Sequence, residues 1–170
     1  MRITTMQDLF LEQIEDLYDA ENRLVKALPK MADAATTQEL QTAFEEHLRQ
    51  TEGQVGRLEQ VFGELGKSPT KPTCDAMKGL IEECEDIVKN TEESPLRDAG
   101  LIAAANRVEH YEMAAYGAAR NFAQVLGLNR SAQLLEQTLN EEKQADETLT
   151  RIATQTVNKQ AVAGRTRTAR

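Results

Sequence analysis

The sequence predicts an all-α fold, a bundle of four long helices with an additional, shorter helix in the connection between the second and the third. Two observations predict it. Apolar residues recur at the helical period of about 3.6 along most of the chain. The residues that build turn-rich β folds are scarce, with 9 Gly, 4 Pro, no Trp and 4% aromatics in 170 residues. At 40% apolar and 28% charged, a chain of this length fits one domain with a buried core.

Each helix has its own start and stop. Thr5 followed by Asp8 is a near capping box, and Phe10, Ile14, Leu17, Leu24 and Leu28 then share one stripe, which predicts a first helix over about 5–35. Pro29 lies inside it and should kink or split its last turns. Thr36 with Glu39 is a fuller capping box for the second helix, whose stripe Leu40, Phe44, Thr51, Leu58 and Phe62 ends near Gly63 to Gly66. Met77, Leu80, Ile81, Cys84, Ile87 and Val88 recur at helical spacing and place the shorter helix at about 73–90. Ser94 before Pro95 is an N-cap with Pro at the first helical position, opening a helix that stops at Gly127; the last long helix covers about 129–156.

The short links after the first and third long helices make two antiparallel hairpins. The connection of roughly 30 residues between them is long enough to traverse the bundle, which gives the crossover layout of a ferritin-like four-helix bundle. An up-down-up-down bundle with a decorated loop stays open, because a helix in the link does not by itself prove traversal. Residues 1–158 make up this helical domain. Residues 159–170 form a basic, disordered C-terminal tail, since from Val157 onward the chain holds Lys159, Arg165, Arg167 and Arg170 and no acid.

The stripes should be apolar, so the polar residues on them are informative. Glu21 sits between Leu17 and Leu24 in the first helix. Glu112 centres the stripe Leu101, Ala105, Val108 and Ala119, with Glu109 one turn earlier on a neighbouring edge. Glu142 occupies the same place in the last helix, and Asp146 lies one turn on and about 40° aside. The second helix adds His47 and Gln54 beside its seam and Thr51 near the middle. Several carboxylates aimed at one another in a low dielectric repel and lose hydration, and a metal pair resolves both problems. Carboxylate oxygens with imidazole form a hard O/N set that suits iron or manganese. The competing account puts these acids at helix ends, a water-filled channel or a dimer face. His110 points almost opposite Glu112 unless its helix is rotated by some tens of degrees. Tyr18 lies three residues before Glu21, and Tyr116 four after Glu112, each on its glutamate's face.

Charge and targeting narrow the class further. Acids outnumber Lys and Arg by 28 to 20 for a net charge of -8, which argues against nonspecific nucleic-acid binding. No stretch approaches the roughly 18 apolar residues of a membrane span, and the N-terminal acids interrupt any signal-peptide core, so the expectation is a cytoplasmic protein. Cys74 and Cys84 are too far apart for redox or zinc motifs and are expected to be ordinary thiols.

The segments HLRQTEGQVGRLEQVF (47–62), GLIEECEDIV (79–88), AGLIAAANRVEHYEMAAYG (99–117) and TLNEEKQADETLT (138–150) resemble the YciE/YciF family of bacterial stress-response proteins, over residues 3–158. The resemblance implies a ferritin-like, rubrerythrin-related bundle, a homodimer, a stress association and a possible di-metal centre. A standard di-iron bundle takes a Glu from each of two helices and an ExxH motif from each of the other two. This chain departs from that pattern: Phe44 stands three residues before His47, and Ala145 three after Glu142. Gln50 could coordinate only as a neutral carbonyl oxygen. The candidate ligands are Glu21, His47, Glu109, Glu112, Glu142 and Asp146, for an iron or manganese pair with oxygen or peroxide chemistry; no catalytic residue is assigned. The alternative is a metal-free structural or interaction protein acting through dimerisation and partner binding.

Overall fold

Over the described residues, 3–70 and 72–165, the computed structural model is an all-α chain. Its helices are α1 (Met6–Ala34), α2 (Gln38–Glu64), α3 (Asp75–Asn90), α4 (Pro95–Val125), α5 (Asn129–Ile152) and α6 (Asn158–Arg165), with a π-helical turn at Ala153–Val157 joining the last two. The helical path therefore continues past residue 158, where the sequence places the start of the tail. Residues 166–170 of that tail lie outside the described residues.

Local chemistry accounts for most boundaries. Thr5 caps α1 in a reciprocal box with Asp8. α2 and α4 both end on a glycine in the left-handed region, Gly66 at φ 63° and Gly127 at φ 73°. There Lys67 N–H donates to Phe62 C=O at 3.0 Å and Leu128 N–H to Ala123 C=O at 2.9 Å, the six-residue closure that tolerates few residues but Gly at its pivot. Two expectations change. α1 runs unbroken through Pro29, which lies on the exposed face, where water can solvate the carbonyl it leaves unpaired. The capping box of Thr36 with Glu39 does not form, and the N-cap residue is Thr37, without a side-chain cap bond. The donors there are taken by Asp98 of α4, which accepts from Thr36 N–H at 2.7 Å, Thr36 Oγ1 at 2.9 Å and Thr37 N–H at 2.9 Å.

Two apolar clusters fix the topology. One gathers the start of α1 (Phe10, Ile14, Leu17), the end of α2 (Leu58, Phe62), the end of α4 (Tyr116, Ala123) and the start of α5 (Leu135, Leu139). The other gathers the end of α1 (Leu24, Leu28), the start of α2 (Leu40, Phe44), the start of α4 (Leu101, Val108) and the end of α5 (Leu149, Ile152). So α2 and α4 run in the same direction, and the segment between them, α3 included, must travel the length of the bundle. This excludes the up-down-up-down order. Helix neighbours are α1 with α2, α2 with α5, α5 with α4 and α4 with α1, closing a ring, while α3 lies across α4 and α1. α3 docks where Gly100 leaves room: a Cβ there would come within 2.7 Å of Ile87 Cγ2. At the far end, Ile152 and Val157 are both buried at a spacing of five, the register that the π-helical turn supplies.

Candidate metal centre

Between the two apolar clusters lies a polar layer with contributions from all four long helices. Glu21 comes from α1, His47, Thr51 and Gln54 from α2, Glu109 and Glu112 from α4 and Glu142 from α5, and all are buried. The register is the one that the stripes dictate. Glu109 and Glu112, three apart, share a face of α4, while Glu21 and Glu142 replace core leucines in α1 and α5.

One ligand atom from each of His47, Glu109, Glu112 and Glu142 can be chosen so that all lie within 4.8 Å of one another. His47 Nε2 stands 3.3 Å from Glu109 Oε1 and 3.8 Å from Glu142 Oε2. Glu21, from α1, is not in that group of four. Its charge acts on Glu109 and Glu112, and the Tyr116 hydroxyl donates to its Oε1. Tyr116 thus serves the glutamate across the bundle rather than Glu112 on its own helix. Tyr18 is buried against Phe62, and its hydroxyl donates to Glu59 at 3.0 Å and not to Glu21.

The electrostatics match the geometry. Loss of hydration holds Glu21, Glu109 and Glu112 well above the usual carboxylate range, and repulsion among the carboxylates adds to it. Burial pushes Glu142 up to about 8, against the pull of Glu109 and the Arg57 guanidinium. Burial also lowers the pKa of the His47 imidazole, favouring the neutral form that can ligate. Arg57 is held outside the layer by Glu141, at 3.0 Å from Nη1 to Oε1, and Gln54 Nε2 donates to the same carboxylate at 3.2 Å.

The donor set fits a metal because it is under-used by the protein. Both His47 ring nitrogens, Glu21 Oε2, Glu109 Oε2, both oxygens of Glu112 and of Glu142, and Gln54 Oε1 are buried with no hydrogen-bond partner. Buried polar atoms are nearly always paired, so unpaired oxygens and nitrogens concentrated in one space call for a partner, and this donor set could hold a metal ion. Thr51, on the same seam, donates its hydroxyl to the His47 carbonyl at 2.9 Å.

Asp146 is not brought into the group. It accepts from Asn106 Nδ2 at 2.6 Å and lies 3.2 Å from His110 Nε2, with His110 largely exposed. The lateral 40° offset was enough to turn it to the rim. Sequence reasoning missed Arg57, which lies three residues after Gln54 and is the cation whose charge reaches Glu21 and Glu142. The i, i+3 spacing to Gln54 was the available signal. Both cysteines are free and buried, as expected of ordinary thiols.

Comparison with known proteins gives consistent matches. A family model described as a domain of unknown function, DUF892, matches residues 5–162. Protein YciF of Escherichia coli (strain K12) is 44% identical over 162 residues, covering 95% of this chain and 98% of its own. The crystal structure of the E. coli stress protein YciF superposes with a TM-score of 0.88 at 44% identity, over 92% of this chain and 99% of that one. YcfI of Rhodopseudomonas palustris gives 0.83 at 41% identity, over 87% and 94%. A Xanthomonas campestris protein at 21% identity and a TM-score of 0.72, over 96% and 98%, shares the fold.

Proposed function

We propose the following function for this chain, which belongs to the DUF892 family that also matches the YciE/YciF resemblance: a ferritin-like, rubrerythrin-related stress-response protein carrying a di-metal centre of iron or manganese. The observation that carries it is the convergence of His47, Glu109, Glu112 and Glu142, with the charge of Glu21 reaching them from α1, and the unpaired ligand atoms they present. The parallel run of α2 and α4 with a crossover between them supports the ferritin-like layout.

Charge favours a pair over a single ion. Four ionised glutamates around a neutral imidazole are balanced by two divalent cations, whereas one ion leaves a net negative charge in a dry interior. Bound iron or manganese supplies Lewis-acid and redox chemistry toward oxygen or peroxide. The protein's part is visible in its own residues. The Tyr116 hydroxyl orients Glu21, Arg57 with Glu141 and Gln54 buttresses the α2–α5 side, and the two apolar clusters exclude water from above and below.

The test is metal analysis after purification without chelators and after reconstitution with Fe2+ or Mn2+. Wild type and Asp146→Ala retain stoichiometric metal, while Glu112→Ala and Glu142→Ala lose most of it. Wild type without stoichiometric metal overturns the proposal in favour of a metal-free interaction protein. Peroxide consumption by the loaded protein then assigns the reaction. No helix among the described residues is long and apolar enough to cross a membrane. A cytoplasmic homodimer without nucleic-acid partners completes the proposal, and light scattering checks the dimer.

A further inference from the structure

The layer of carboxylates is buried, so any substrate needs a way in, and the four faces of the bundle are not equivalent. α3 packs over the α1–α4 face, and a groove of about 310 Å3 beneath it is lined by Leu24, Met31, Ile81, Val88 and Val108. That groove reaches no ligand of the candidate centre. On the opposite side, neither α2 nor α5 carries a further helix over the seam between them among the described residues. There a cleft of about 150 Å3 opens between Ala43, Phe44 and Gln50 on one wall and Gln144, Ala145 and Leu149 on the other. Its inner lining includes His47 and Glu109, two members of the group.

We infer that this α2–α5 cleft is the door through which a small, uncharged, hydrogen-bonding molecule of at most three heavy atoms reaches the centre at its His47 and Glu109 side. The inference rests on the metal-centre reading and specifies its substrate class. Size sets the upper limit, because ligand pockets for metabolite-sized molecules begin at about 300 Å3 and this cleft has half of that. Charge sets the second limit. Glu46 on the rim is paired with Arg49, and Gln50, Gln144 and Thr148 are neutral, so the walls of the passage offer an ion no unpaired counter-charge. Polar guidance comes from Gln50, beside His47, and from Gln144 and Thr148, while Phe44 and Leu149 keep the passage from filling with side-chain charge. Hydrogen peroxide and water meet these limits, whereas a bulky alkyl hydroperoxide does not.

Two half-buried alanines, Ala43 and Ala145, line opposite walls and give the means to close the passage without touching a ligand. Water itself is the probe. In Mn2+-loaded protein, exchange of water at the metal raises the longitudinal relaxation rate of bulk water protons. Ala145→Phe and Ala43→Phe are expected to lower that enhancement per bound Mn2+ at least threefold with Mn2+ stoichiometry unchanged, and Ala145→Leu provides a milder plug should either Phe variant fail to fold. Ala103→Phe, on the exposed face of α4, leaves the enhancement at the wild-type level. In parallel, the Fe2+ of loaded wild type is oxidised to Fe3+ by hydrogen peroxide, which is reduced to water, at least tenfold faster than by cumene hydroperoxide. Unchanged relaxation in plugged variants that hold Mn2+ overturns the door, and equal rates with the two peroxides overturn the size limit. Failure of wild type to take up Mn2+ shows at the loading step, before any relaxation is read, and overturns the metal centre and the door together.

Discussion

Asp98 and Glu112 are both fully buried carboxylates on α4, four turns apart, and their surroundings are opposite. Asp98 is surrounded by donors: two backbone N–H groups and a hydroxyl from the α1–α2 turn converge on it. Glu112 has none, and its neighbours are Glu21, Glu109 and Glu142. A buried carboxylate with its hydrogen bonds made is a structural joint, whereas one left without them and ringed by others could hold a cation. The difference lies in the partners and not in burial, so it can be broken by experiment from either side.

The largest effect is expected at the satisfied site. Asp98→Ala strands the donors of Thr36 and Thr37 and loosens the start of α2, and urea denaturation should show a loss of about 3 kcal/mol. Metal content should not change. Next comes the ligand effect: Mn2+ at about 100 times its Kd should stabilise wild type and Asp98→Ala alike by about 2.7 kcal/mol, and Glu142→Ala hardly at all. Equal stabilisation of Glu142→Ala would show that the ion binds elsewhere.

The unsatisfied site should also reveal itself through pH in metal-free protein. Glu142 titrates at about 8 in the fold against 4.5 as a free group. Between those values the folded state holds a proton that the unfolded state has released. Stability is therefore complete below about 4.5 and falls as pH rises toward 8, and Glu21, Glu109 and Glu112 act in the same sense. His47, lowered by burial, opposes this, since its unfolded form takes the proton below about 6.5, but it is one group against four. Glu112→Gln removes one of the four, so relative to wild type the metal-free variant should gain on the order of 1 kcal/mol between about pH 5 and pH 8. A flat difference across that range would mean that the carboxylates have found partners in solution.

Why one site was legible in the sequence and the other was not follows from range. Glu21, Glu112 and Glu142 interrupt stripes whose period is set within one helix, so their inward direction can be read from neighbours three and four residues away. His47 and Glu109 could be placed near the same seam for that reason. The helix ends marked by Thr5, Gly66 and Gly127 are local in the same way. Asp98 is different, because its partners lie 61 and 62 residues earlier in the chain and no periodicity links them. The capping box expected from Thr36 and Glu39 failed for this reason: a tertiary acceptor competed for the same donors and won. The direction of α4 relative to α2, for which the crossover layout leaves up-down-up-down as an alternative, is set by contacts between helix ends far apart in the chain.

The smallest effect separates the rim from the layer. Asp146 and His110 sit one turn beyond Glu142 and one residue beyond Glu109, close enough in sequence to pass for ligands, yet they face each other and Asn106 at the surface. An exposed pair of this kind contributes little, since water and salt screen it and ordering the side chains costs entropy. His110→Ala should change stability by less than about 0.5 kcal/mol and leave metal stoichiometry at the wild-type value. His47→Ala, in contrast, removes the only imidazole of the layer and should lower metal occupancy. If instead His110→Ala released the metal, α4 would have to be rotated in solution so that Glu109 and His110, and not Glu109 and Glu112, form its inner edge.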